Sequence, residues 1–600
     1  MARLSLVWLA LLLPVPSALA TPPEILSVRQ TQPAEVYRQV SAQISPDSVT
    51  DKFFAVGRFE KFELRVDLRA AFQNPFDPDD IDLRAEFTAP SGKVWKIWGF
   101  YNPSSWSALW MVRFEPDEAG TWRVVVKVRN RDGEAATKPQ EFSVMESTHH
   151  GFVGIAANQR YLQCSDGASF YGVGMWYNDR FDLFNQGQIT EAGLDELKAH
   201  GANFICFYNS PLETMGTGLG RYDQLRAARL DQIFDWCEQR DLRIAWNLWF
   251  HSFISENVWG GYNCRYRNNP YRLVTSADDL FKSEDSWKYM CNLHRYIVAR
   301  WGYSRALFLW FVIDEANGTD AWVSDGGKSC ETWCRRVRDW FKANDPYRRP
   351  TTGTMSGSSS QYWTNGYSLF DIAAREVYET HDYPMPAGSK LDWVNANPHK
   401  TSYLNYAGQF QRLWNEFPKP VMLGECGARH AFFEPAMPGY QEMHHNTLWT
   451  ALVNGQCATP FWWDHDPEVV PAVADNSLLH FSKFIRDIPF ALETFKPATL
   501  KVTDGDGWAM QGDRLTFGWA VNSISGISGG TVSVPGLADG EFDVRLYLTW
   551  SGKYLDPIPA RSTGGELKFT VPEAAPRDRK PRYFGSDVAF KITPRSQLAK

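Results

Sequence analysis

The sequence predicts a multidomain chain in which a central (β/α)8 TIM barrel is flanked by an N-terminal β-sandwich and a small C-terminal β-sandwich. Three observations predict it. Apolar and polar residues alternate up to about residue 144, short unbroken apolar runs alternate with long amphipathic segments from about residue 154, and the alternation returns after about residue 497. At 600 residues the chain is long enough for several such units. The expected limits are 1–20 for a leader, 25–150 for the first sandwich, 151–496 for the barrel and 497–600 for the last sandwich.

The leader reads "MARLSLVWLALLLPVPSALATPPE": one basic residue, Arg3, an apolar run, and then Ala18, Leu19 and Ala20. That is the form of a secretory signal peptide cut after Ala20, and its apolar run is too short to cross a bilayer. Thr21 rather than a cysteine follows the cut, so a lipid anchor is not expected. With no long apolar stretch later in the chain, the expectation is an exported protein, periplasmic or extracellular, without a membrane span.

In the first sandwich Phe62, Leu64, Val66 and Leu68, and later Trp122, Val124, Val126 and Val128, alternate with polar residues. This is the pattern of half-buried antiparallel strands, with turns at "PSG" and "PDEAG". The acidic stretch "DPDDID" lacks the spacing of a known calcium loop and reads as a solvated turn.

The barrel is read from eight strand-like runs: "FYGVGMW", "NFICFYN", "LRIAWNLWF", "LFLWFVIDE", "PTTGTM", "REVYETHDYP", "PVMLGECG" and "QCATPFWWDH". Between them lie helices with apolar stripes, such as Leu230, Ile233, Phe234 and Cys237, then Met290, Leu293, His294 and Ile297, then Trp333, Val337, Trp340 and Phe341. Unbroken apolar strands separated by helices indicate a parallel sheet covered by helices, and eight such units fit a closed barrel. "TLKVT", "RLTFGWAV", "TVSV", "FDVRLYLTW", "LKFTV" and "DVAFKI" form the last sandwich.

Composition excludes several function classes. A net charge of -7 gives no basic footprint for nucleic acid. No Gly-rich phosphate loop or dinucleotide fingerprint is present, so no cofactor is expected. No metal is expected either: Cys330 and Cys334 lack further ligands at a supporting spacing, as do His444 and His445. Nine cysteines in this length do not make a disulfide scaffold, and the odd count leaves one unpaired.

The chemistry is predicted at two strand ends. In such a barrel, acids that directly follow an apolar strand sit at the mouth of the site. Asp314 and Glu315 follow "LFLWFVI", and Glu425 follows "PVMLG". Because side chains alternate along a strand, only one of Asp314 and Glu315 is expected to face the pocket. Two carboxyls about 5–5.5 Å apart are what retaining glycoside hydrolysis uses, one protonating the leaving oxygen and one attacking the anomeric carbon. Like charges at that distance push the two pKa values apart.

Other barrel-mouth candidates follow from strand position. Trp462 and Trp463 on the eighth strand, Trp176 after the first, and Asn247 and Trp249 after the third are candidate sugar-binding residues, one of Trp462 and Trp463 as a stacking floor. His251 and Asn209 are further candidate hydroxyl ligands. His381 and Tyr383 on the sixth strand share one face, with Glu379 on the same alternation.

These residues resemble the clan A glycoside hydrolases, the retaining (β/α)8 enzymes with cellulase-like and apiosidase-like branches. The resemblance implies Glu315 as acid/base and Glu425 as nucleophile, with a His and a Tyr beside the nucleophile in the places of His381 and Tyr383. The family usually has Asn before the acid/base; here Asp314 can accept a hydrogen bond from a sugar hydroxyl but cannot donate one. The segments "WGFYN" and "WMVRFEPDEAGTWRVVV" resemble a β-sandwich that precedes such barrels in secreted bacterial glycosidases. The expected function is a glycoside hydrolase acting on a β-linked poly- or oligosaccharide by double displacement. The alternatives are a catalytically inactive carbohydrate-binding barrel and a transglycosylase using the same site.

Overall fold

A computed structural model describes residues 21–31, 53–105, 108–179, 187–208, 211–261, 264–356, 362–378, 398–427, 438–463, 476–522, 526–572 and 586–595. It is multidomain and rich in strands. The N-terminal alternation folds into two antiparallel-built sheets. One contains Glu24–Gln30, Phe62–Arg69, Ala108–Phe114 and Phe100–Ser105; the other is built around Gly120–Asn130, flanked by Gln140–Met145 and Ile81–Thr88. Phe62, Leu64 and Val66 from the first sheet and Trp122, Val124, Val126 and Val128 from the second are buried in one shared core. Each such side chain removed from water contributes about 1.5–3 kcal/mol. Leu68, expected in that core, is only partly buried at its edge. The acidic stretch is not wholly the solvated turn expected: Asp80 accepts the amides of Gln73 and Asn74, and Asp82 is buried and pairs with Arg84 and with Arg295 of the helix Glu284–Trp301.

The central region is parallel. Gly174–Trp176, Phe204–Tyr208, Arg243–Trp249, Leu307–Ile313 and Thr351–Thr352 lie side by side in that order. Ala373–Tyr378 pairs in parallel with Val421–Gly427. Backbone hydrogen bonds connect these two groups: Ile372 donates to Thr351 (3.1 Å), Cys426 to Phe461 (3.1 Å), and Trp176 to Trp462 (3.1 Å). The eighth run makes only isolated parallel bridges, at Ala458 and Trp462, because Pro460 between them has no N–H to give to a ladder. All seven residues of Leu307–Ile313 and of Val421–Gly427 are buried, which is why both read as unbroken apolar runs.

Helices cover this sheet with the expected stripes. Leu230, Ile233, Phe234 and Cys237 are buried on Gln224–Gln239, whose first turn is capped by Asp223 through the amides of Leu225 and Arg226. Met290, His294 and Ile297 are buried on Glu284–Trp301, and Trp333, Val337 and Phe341 on Lys328–Asn344. Cys330 and Cys334 lie 3.9 Å apart, sulfur to sulfur, within that buried face as free thiols.

The C-terminal region is a ten-stranded antiparallel assembly that also contains Asp506–Gln511 and Ile558–Thr563, two strands not apparent from the alternation. Its Asp587 accepts hydrogen bonds from Trp550 (2.9 Å), Thr549 (2.8 Å) and Trp519 (2.5 Å), and lies 3.2 Å from His445 on the helix Pro438–Val453. His445 is thus a packing residue between its helix and the C-terminal sheet, stacked 3.7 Å from Trp550. Among the described residues no helix is long and apolar enough to cross a membrane.

Candidate active site

The buried strand Leu307–Ile313 delivers Asp314 and Glu315 to its C-terminal end, where the backbone turns abruptly. Glu315 adopts φ 43° and ψ 47°, a left-handed conformation that non-glycine residues hold at a cost of order 1–3 kcal/mol. Beyond this turn both acids lie against His251, Asp314 at its backbone amide and Glu315 at its imidazole. Asp314, 0% exposed, accepts the His251 amide at 3.2 Å. Glu315, whose side chain is 19% exposed, brings Oε2 to 3.0 Å from His251 Nδ1, close enough for an ion pair though not aligned as a hydrogen bond.

The strand Val421–Gly427 carries Glu425, which is buried. Its register partner on the sixth strand is Glu376, after a register shift between Arg375 and Glu376. One carboxyl oxygen from each of Glu315, Glu376 and Glu425 lies within 4.8 Å of the others. Glu376 is fully buried, and its Oε1 accepts the Thr354 hydroxyl. Sequence reasoning missed it. An acid in the middle of "AAREVY", next to an arginine, looks like half of an ion pair, yet Arg375 binds Gln409 and lies 5.0 Å from the Tyr362 ring centre.

Charge in the cluster is unbalanced toward the negative. Burial pushes the Glu376 carboxyl well above the ordinary range, and the carboxyls of Glu425, Glu315 and Asp314 add to the effect. Asp314 is also raised, first by burial. Burial opposes a charge on His251, but Glu315 and then Asp314 outweigh it and raise the imidazole to about 10. At neutral pH His251 is therefore the cation that faces these acids. The three glutamate oxygens also have the spacing to hold a metal ion, a possibility the sequence reading had not foreseen.

The aromatic candidates separate by burial. Trp463 is partly exposed and lies edge-on to Trp176 at 5.1 Å. Trp462 is buried against His444, 5.1 Å away, so of the pair only Trp463 keeps exposed surface, with its ring also stacked 6.3 Å from Tyr208. Trp176 is a correction: it is fully buried, its indole N–H donating to the Gly424 carbonyl at 2.9 Å, and it has no open face. Trp249 is another, since its N–H reaches His294 Nε2 at 3.0 Å and it packs edge-on to Trp333, among the helices rather than at the mouth. Asn247 is buried with neither amide atom hydrogen-bonded among the described residues. Trp259, 47% exposed and 5.2 Å from the His251 ring, is an aromatic at the mouth that the sequence reading passed over among 26 tryptophans. His381, Tyr383, Glu379 and Asn209 lie outside the described residues.

Comparison with known proteins adds the following. Residues 55–129 match a family model described as a domain of unknown function, DUF5060. No curated protein matches the chain. A Bacteroides vulgatus ATCC 8482 protein described as a candidate glycoside hydrolase superposes with a TM-score of 0.58 at 15% identity, over 90% of this chain and 100% of its own. Other solved structures that this chain resembles are also described as glycoside hydrolases. They include a second protein described as a glycoside hydrolase (TM-score 0.49, 14% identity, 74% of this chain and 98% of that one). A family 5 mannosidase from Rhizomucor miehei (TM-score 0.39, 13% identity) covers 56% of this chain and 100% of its own. At these identities the likeness speaks to fold.

Proposed function

We propose that the protein is an exported retaining glycoside hydrolase of a β-linked poly- or oligosaccharide, with Glu315 as acid/base and Glu425 as nucleophile. The observation that carries the reading is the approach of Glu315 and Glu425 oxygens to within 4.8 Å at the ends of two parallel strands. An approach that close favours the retaining arrangement, with carboxyls about 5–5.5 Å apart, over an inverting one, with about 6.5–9.5 Å between them to admit a water. The parallel pairing and the hydrogen bonds from Trp176 to Trp462 and from Ile372 to Thr351 support a closed (β/α)8 barrel spanning 151–496, between sandwiches at 25–150 and 497–600.

In this mechanism His251 Nδ1, 3.0 Å from Glu315 Oε2, is the source of the proton that Glu315 carries to the glycosidic oxygen. Glu315 delivers that proton to the glycosidic oxygen while a Glu425 oxygen bonds to the anomeric carbon and the leaving sugar departs with the bond electrons. Water then attacks the same carbon, its proton passes to Glu315, and Glu425 is released. Trp463 supplies a stacking face, and His381 and Tyr383 are proposed as supports of Glu425.

The test is release of reducing sugar from a panel of plant, algal and microbial glycans by wild type and Glu425→Ala side by side. Activity in wild type that falls at least about 10⁴-fold in the variant is expected. Equal activity in both sinks the assignment of Glu425. Tight retention on a glycan without turnover by either protein identifies a binding barrel instead.

A further inference from the structure

Glu376 has no part in double displacement as just described, yet it is the most enclosed acid of the three-glutamate cluster. Residues in register on adjacent parallel strands project to the same face, so Glu376 and Glu425 stand side by side. Oε1 of Glu376 is occupied by the Thr354 hydroxyl, with the Glu315 amide also 3.4 Å away. Oε2 is fully buried and meets no hydrogen-bond donor among the described residues. The carboxyl stands among other acids: one of its oxygens lies within 4.8 Å of an oxygen of Glu425 and of Glu315, and the charge of Asp314 also acts on it.

A buried carboxylate oxygen without a donor is destabilising, whereas a protonated carboxyl satisfies itself by donating to a neighbouring carboxylate. Among the described residues the nearby cations face other partners. His251 faces Glu315 at 3.0 Å and Asp314 at 3.9 Å, and Arg375 is turned to Gln409 and Tyr362.

We propose that Glu376 is a positioning residue that stays a neutral carboxylic acid throughout turnover, sharing its Oε2 proton with the Glu425 carboxylate while Thr354 holds Oε1. The protonated neighbour keeps the nucleophile ionised and aimed without adding a fourth negative charge to the cluster. The same burial and neighbouring acids that raise its carboxyl well above the ordinary range act in this direction. The positioning role rests on the reading of Glu425 as nucleophile; the protonation state does not.

The infrared difference spectrum of wild type minus Glu376→Gln at neutral pH tests protonation without any substrate. A protonated-carboxyl C=O band that shifts in D2O is expected; carboxylate bands alone overturn the proposal. Thr354→Val, which removes the hydroxyl donated to Oε1, should move that band to higher frequency, a second readout should Glu376→Gln fail to fold. Kinetically, Glu376→Ala should lower kcat by about 10²-fold and move the acidic limb of the pH–rate profile upward, because Glu425 loses the donor that favours its ionised form. Glu376→Gln, which keeps a neutral N–H donor, should recover most of that loss and restore the acidic limb. Glu376→Gln as damaged as Glu376→Ala, with an unmoved limb, overturns the positioning role. An infrared band in a protein inactive on every glycan leaves the protonation standing and sinks the hydrolase reading instead. A divalent cation bound tightly by these glutamates with loss of the band overturns the proposal in favour of a metal site.

Discussion

At the residue scale the site is organised around His251. Its imidazole keeps its proton up to about 10 in the folded protein, against 6.5 as the ordinary value. Between those values the folded state binds more protons than the unfolded one, so stability must fall as pH rises. The stability margin of wild type over His251→Gln is therefore expected to be full below about pH 6.5 and gone above about pH 10, as read by denaturant unfolding across that range. A margin independent of pH contradicts the ion pair with Glu315. Legibility at this scale was uneven, for physical reasons. Glu315 and Glu425 could be read because an apolar run that stops at an acid announces a strand end at a site. Glu376 could not, because the register shift that turns it toward Glu425 leaves no trace in "AAREVY". Tryptophan identity says nothing about which face is covered, which is why Trp176 and Trp249 were placed at the mouth and Trp259 was passed over.

At the scale of elements, the strands were legible wherever both faces are buried and obscure where pairing is interrupted. The eighth run shows this: its apolar residues predicted a strand, and Pro460 reduces it to bridges. Trp176 ties the first strand to the seventh through the Gly424 carbonyl, next to Glu425. Trp176→Phe leaves that buried carbonyl without its donor, an expected loss of about 1–3 kcal/mol of stability. It should also lower kcat, because the strand that carries Glu425 is no longer held from the first. Trp463→Ala should behave oppositely, with stability nearly kept and KM raised by about tenfold, in line with an aromatic contact of about 0.5–1.5 kcal/mol. Chemical denaturation and steady-state kinetics on the two variants separate supporting from sugar-facing aromatic residues; matching profiles contradict the division.

At the scale of the molecule, buried charge joins the N-terminal sheets to the helices of the central parallel region. Arg113 donates to Glu63 (2.6 Å), to Asp231 on the helix Gln224–Gln239 (2.7 Å) and to the Arg300 carbonyl (3.1 Å). Burial pushes Asp231 upward, but Arg113 and then Arg300 outweigh it and hold its carboxyl well below the ordinary range. Its contribution to stability is therefore present above the ordinary carboxylate value and lost only in strong acid. Arg113→Met leaves Glu63 and Asp231 buried with less countercharge, and should lower stability by about 3–5 kcal/mol in thermal or denaturant unfolding at neutral pH. A change below about 1 kcal/mol contradicts the view that this junction is rigid. Changes of period along the chain made strand-rich ends and a parallel centre legible; the contacts of Arg113 to Asp231 and Arg300 were not, since they join residues more than a hundred positions apart.

The central claim is that Glu315 and Glu425 act as a retaining pair. The most direct test is the anomeric configuration of the first-formed product, followed by proton NMR at early times on whichever glycan the wild type cleaves. Retention of configuration, absent from a Glu425→Ala control, is the predicted result. An inverted product, or turnover that persists without Glu425, would contradict it.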